Sequence, residues 1–144
     1  MSLTLDTANT IIAESIRFAR TAGLQPLVVV VLDARATVKA AGAEDNTSTG
    51  RFAIAAAKAN GALAMGMGSR ALGKRAKDLP SFYQSLTSIV PGGLVPIPGG
   101  VLLRNAEGAV IGAVGISGDV GDNDERAALA GIAAAGLIGD PGES

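Results

Sequence analysis

Two basic residues, Arg51 and Lys58, and a run of acids, Asp119, Asp122, Asp124 and Glu125, are the groups in this chain whose type and spacing suit chemistry. A separation of seven residues returns a helix nearly to the same face, so Arg51 and Lys58 are expected to offer two cations to one anionic ligand. Glu125 is the candidate acid–base group, a proton shuttle if its pocket raises its pKa, with Lys58 as its catalytic companion. Asp124 and the pair Gly99–Gly100 complete the candidate ligand-binding set. Competing structural readings exist for each. The cations suit a solvated helix face, and Asp122 precedes Glu125 by the three residues of a capping box, which favours the positive end of a helix.

What the chain lacks limits the chemistry further. Its 144 residues include no His and no Cys, which removes disulfides, thiolates and the usual zinc and copper ligand sets. Any metal is left with carboxylates, Tyr83 or a methionine. Gly68 to Lys74 satisfies most of a phosphate-binding loop, but Arg75 stands where the metal-binding hydroxyl belongs, and the segment follows a helix instead of a strand. Arg70, Lys74, Arg75 and Lys77 therefore read as a solvated basic helix end. Gly115-Ile-Ser-Gly-Asp119 resembles a nucleophile elbow without its second glycine or a histidine to activate Ser117, whose expected role is to satisfy backbone groups at a strand end. The acids lack the spacing of a calcium loop.

With twelve basic and thirteen acidic residues the net charge is -1, and the cations are dispersed. One Tyr, three Phe and no Trp leave no platform for stacked bases, so nucleic acid is not an expected partner. No apolar run approaches the ~18 residues of a spanning helix and no signal peptide is visible, so the chain is read as cytoplasmic and free of the membrane. Charged residues are only 17% of the chain and apolar residues 48%. Such an apolar excess points to a homo-oligomer.

The elements that must position these groups follow from periodicity. Thr4 caps a helix over about 5–22, stopped by Gly23. Leu27 to Leu32 is a strand buried on both faces, and a second strand over about 36–42 returns from it. No glycine follows Asp33, so a tight turn there would force Arg35 or Ala36 to positive φ, and a looser turn is expected. Arg51 to Met67 is an Ala-rich helix. Two short helices, 70–78 and 81–89, flank Pro80, and 91–100 is turn-rich. Val101–Arg104 and Ala109–Ile116 form a hairpin, and a helix over about 123–138 closes the chain. Helices at both ends and in the middle, with hairpins between, describe one α/β (α+β) domain over 1–144 built on an antiparallel sheet.

The stretch Gly99-Gly100-Val101, Gly108 to Gly118 and Asp124-Glu125 resembles the GlcG/HbpS family, also called the haem-degrading family. Leu3-Thr4-Leu5, Asp33, Asp45 and Ala55 to Ala59 extend the likeness over nearly the whole chain. The resemblance implies a profilin-like three-layer α/β/α fold, a five-stranded antiparallel sheet flanked by helices, and homo-oligomers up to octamers. It also implies a small-organic-ligand-binding protein or accessory catabolic enzyme, with an anionic ligand near the second long helix and the Gly99–Gly100 strand. Haem or another tetrapyrrole is the alternative ligand, and a purely structural oligomer the third reading. Where the family commonly has a Gly-Gly-His type turn after Asp33, this chain has Arg35-Ala36-Thr37, so haem iron would have to take Tyr83, Met65 or Met67.

Overall fold

The computed structural model describes residues 2–142. Helix α1 (Leu5–Ala22) begins where the Thr4 hydroxyl accepts the Thr7 amide at 3.1 Å and ends at Gly23, whose φ of 71° releases the chain. Its buried positions, Ala8, Ile11, Ser15 and Ala19, recur every three or four residues. Strand β1 (Val28–Asp33) is buried along Val28–Leu32 because it lies inside a sheet covered on both faces. Val29 and Val31 point to one core, Val28, Val30 and Leu32 to the other.

The sheet order is β2–β1–β4–β3–β5, every neighbour antiparallel, with β2 at Val38–Ala43, β3 at Gly100–Arg104, β4 at Val110–Ser117 and β5 at Ile138–Asp140. Helices α1 and α5 (Gly121–Ala134) cover one face, and α2 (Arg51–Met65) covers β1, β4 and β3 on the other. Helices α3 (Ser69–Asp78) and α4 (Pro80–Leu86) stand beside α2 around a separate cluster of Leu72, Tyr83, Leu86 and Leu94. The three-layer α+β fold with a five-stranded antiparallel sheet is the one expected. No helix among the described residues is long and apolar enough to cross a membrane.

Helix α2 rests on the sheet with almost nothing between. A Cβ on Gly115 would overlap the Ala55 carbonyl, and one on Gly100 the Lys58 carbonyl. The helix answers with Ala55, Ala59 and Ala62. Backbone-to-backbone approach explains why this glycine- and alanine-rich sequence can still pack a dense core.

Several boundaries differ from expectation. Helix α2 stops at Met65 because Gly66 takes a φ of 73°, and Pro80 opens α4 at its first turn. The last helix spans Gly121–Ala134, short of the expected end near 138, and Ile138–Asp140 pairs with β3 as a fifth strand, β5. The loop between β1 and β2 is four residues long, Ala34 to Thr37, and Ala36 does take a positive φ of 62°. The Asp33 carboxylate stabilises that turn, its Oδ1 accepting from the amides of Arg35 (2.9 Å) and Thr37 (3.1 Å).

Candidate functional site

The candidate site residues Arg51, Lys58, Gly99, Gly100, Asp124 and Glu125 converge on one end of the sheet, where β3 begins, β4 ends and α2, α3 and α5 start. Arg51 and Lys58 do share a flank of α2, and each reaches the end of β4. Arg51 Nη1 donates to Ser117 Oγ at 3.1 Å. The expected role of Ser117, satisfying backbone groups, gives way to this contact. Lys58 Nζ donates to the Ile116 carbonyl (2.9 Å) and to Asp124 Oδ2 (3.1 Å).

The Lys58–Asp124 pair is sealed, its side chains 4% and 1% exposed. Burial pulls the Lys58 ammonium below its ordinary pKa and pushes the Asp124 carboxyl above its own, and the attraction between the two opposes both shifts. Asp124 Oδ1 also accepts the Asp119 amide at 2.9 Å. Gly99 and Gly100 lie against Lys58, so a Cβ at Gly99 would come within 2.8 Å of Nζ. The glycine pair thus makes room for the lysine and the helix that carries it.

Glu125 faces the other way, toward α3. Arg70 Nε lies 3.0 Å from both Glu125 oxygens, and its Nη2 reaches Oε2 at 2.7 Å and also Asp122 Oδ1. These hydrogen bonds to carboxylates raise the guanidinium pKa further above its ordinary value. Two expectations are corrected here. Asp122 and Glu125 form no capping box, since the α5 cap position is Val120 without a side-chain bond, and Arg70 is no free solvated cation. The start of α5 is instead organised by Asp119, which accepts from the amides of Gln25 (2.8 Å) and Val120 (2.7 Å) and from Asn123 Nδ2 (2.8 Å). Those donors, the Gln25 amide foremost, hold the Asp119 carboxyl below its usual range. Ser69 joins the same end by accepting the Gly100 amide at 2.7 Å.

An open space borders this network on its α3 side. Arg70, Lys74 and Lys77 recur at helical spacing along α3 and line a cavity of about 260 Å3, closed opposite by Pro96, Ile97 and Pro98. Gly73 lets that strap approach, since a Cβ there would lie 2.8 Å from the Pro96 carbonyl. Among the described residues no acidic side chain lines the space, and Lys74 and Lys77 form no ion pair. Nothing in the linear spacing signalled that Arg70 would split from its basic neighbours, because its acid partners lie more than fifty residues away.

Tyr83 and Met65, named as candidate iron ligands, lie in or against the closed cluster of Leu72, Leu86 and Leu94. Met67 packs there too, and borders a cavity of about 360 Å3 whose other walls include Ala71, Lys74, Arg75, Asp140 and glycines.

Comparison with known proteins agrees with the fold and the sequence resemblance. PduOC, solved as a heme complex, superposes with a TM-score of 0.84 at 26% identity, covering 95% of this chain and 97% of that one. A double mutant of Streptomyces reticuli HbpS gives 0.78 at 25%, covering 92% and 86%. Klebsiella pneumoniae ORFY gives 0.82 at 22%, covering 93% and 90%, a likeness of fold. No curated protein matches the sequence. The model of the HbpS-like haem degrading proteins matches residues 3–133, so the chain belongs to the HbpS-like haem-degrading protein family.

Proposed function

We propose that this protein binds a small organic anion in the cavity between α3 and the Pro96–Pro98 strap. The observation that carries the reading is the lining itself: three cations on one helical stripe, the apolar Ile97 opposite and, among the described residues, no acid between them. A carboxylate there meets Lys74 and Lys77 directly, while Glu125 and Asp122 hold Arg70 in a fixed orientation behind them. This keeps the ligand beside the Gly99–Gly100 strand and moves its cationic partners from α2 to α3. Lys58 and Asp124 serve as a buried brace in this reading, and Glu125 as a positioning residue. Family membership supports small-ligand binding in general terms.

Isothermal titration with aromatic and short-chain carboxylates tests the site. Lys74→Ala/Lys77→Ala is expected to weaken binding at least about tenfold, or ~1.4 kcal/mol, and Arg51→Ala to leave it unchanged. The reverse pattern would return the ligand to the α2 flank.

PduOC binds heme, which makes haem the second reading to weigh. The residues present do not fit a coordinated haem. There is no imidazole or thiolate, Tyr83 is only 5% exposed, and the cavity beside Met67 has charged and glycine walls where a macrocycle needs flat apolar ones. A haem titration is expected to give the Soret band of uncoordinated haem.

We also infer a homo-oligomer. Helix α2 leaves the outer strand β2 uncovered, so Val38, Ala41 and Ala43 form an apolar row on that side, and Phe52 on α2 is open as well, with Val38 50% and Phe52 47% exposed. The free edge of β2 continues that surface.

A further inference from the structure

At the opposite end of the sheet, the β1–β2 turn and the start of β4 enclose a larger cavity, about 390 Å3, a size suited to a small molecule. One wall is apolar, made by Leu3, Val110 and Ile111. The others carry Asp33, Arg35 and Lys39. This end holds none of the groups of the Arg70 network.

The charges here are arranged differently from those on α3. Among the described residues neither Arg35 nor Lys39 forms an ion pair, although an acid lines the same cavity. That acid is fixed in place: Asp33 Oδ1 is held by the amides of Arg35 and Thr37, while Oδ2 receives no hydrogen bond from the described residues. A ligand bearing only negative charge would meet Asp33, and one bearing only positive charge would meet Arg35 and Lys39. Both arrangements leave a partly buried charge opposed by its like. A molecule with both signs on neighbouring atoms meets all three groups, and an aliphatic or aromatic body completes the fit to the apolar wall.

We propose that this cavity is a second ligand site, for a free α-amino acid with an apolar side chain. Its carboxylate lies between Arg35 and Lys39, its ammonium donates to Asp33 Oδ2, and its side chain covers Leu3, Val110 and Ile111. The short β1–β2 turn, with Ala36 held at positive φ, sets the spacing between the acid and Arg35.

Titration calorimetry of the full chain with leucine, N-acetylleucine and leucinamide tests the proposal. Leucine is expected to bind, and each blocked derivative to bind at least about tenfold more weakly, since each lacks one of the two charges. Arg35→Ala/Lys39→Ala is expected to lose leucine binding by a similar factor with an unchanged thermal midpoint. Asp33→Asn, which keeps the oxygen that orders the turn, is expected to do the same. Lys74→Ala/Lys77→Ala should leave leucine binding intact, so the failure of this site and that of the α3 site are told apart. No heat with leucine up to about 10 mM, equal affinity for the blocked derivatives, or undiminished binding by the Arg35→Ala/Lys39→Ala variant overturns the proposal.

Discussion

Lys58 and Asp124 show how much an ion pair depends on keeping both members. With water excluded from both side chains, deleting one strands the other's charge in the interior. Lys58→Met or Asp124→Asn is therefore expected to cost about 3–5 kcal/mol in chemical denaturation, and the double variant Lys58→Met/Asp124→Leu clearly less than the sum. Asp119 gives a pH-dependent contribution whose sign follows from its depressed pKa. The contribution is complete above the unfolded value near ~3.9 and disappears as pH falls through the lower folded value. Asp119→Ala should cost about 1–2 kcal/mol at neutral pH, and its deficit against the parent chain should shrink in strong acid. Ser15 behaves oppositely. Its hydroxyl is buried at the α1–α5 crossing beside Gly131 without a hydrogen-bond partner among the described residues, so Ser15→Ala is expected to raise stability by about 1 kcal/mol. At this scale the sequence was legible where partners are near in the chain, as for Thr4 and Thr7. Arg70 was misread because its partners on α5 are brought to it only by the fold.

Helix α2 was visible in its run of alanines, yet the reason for those alanines lies in other elements. They face the glycines of β3 and β4, and helix and sheet meet through their main chains. Gly115→Ala would force the helix away from the strands, a change expected to cost about 3 kcal/mol or more and to lower the thermal midpoint sharply. Exposed glycines such as Gly108 have no neighbour for a Cβ to meet, so there only the positive φ is lost. Strong periodicity made α1, β1 and the β3–β4 hairpin readable to within one or two residues. Strand β5 escaped because three residues carry no usable period. Ile138 to Asp140 became a strand only because β3 offered a free edge, and Gly136 had already ended α5 at positive φ.

The whole molecule is asymmetric about its sheet, covered fully on the α1–α5 side and incompletely on the α2 side. Val38→Lys/Phe52→Glu places charges at the two large exposed apolar side chains of β2 and α2 and is expected to shift the species seen by light scattering toward the monomer, with the far-ultraviolet dichroism retained. The overall architecture was legible because burial patterns report layers. The cavities were not, since each is bounded by residues from two or more segments separated in the chain. Beyond β5, Pro141 accepts the Arg70 amide at 3.3 Å, and Gly68 fits so closely that a Cβ there would overlap Pro141. The strand at the sheet's outer border thus doubles as a tether for the helix bearing the lysine row. Tension or cleavage in that carboxyl-terminal stretch would be felt as a loosened grip on any anion held far back in the chain along α3, making the tail a natural handle for tuning affinity without touching a single contact residue.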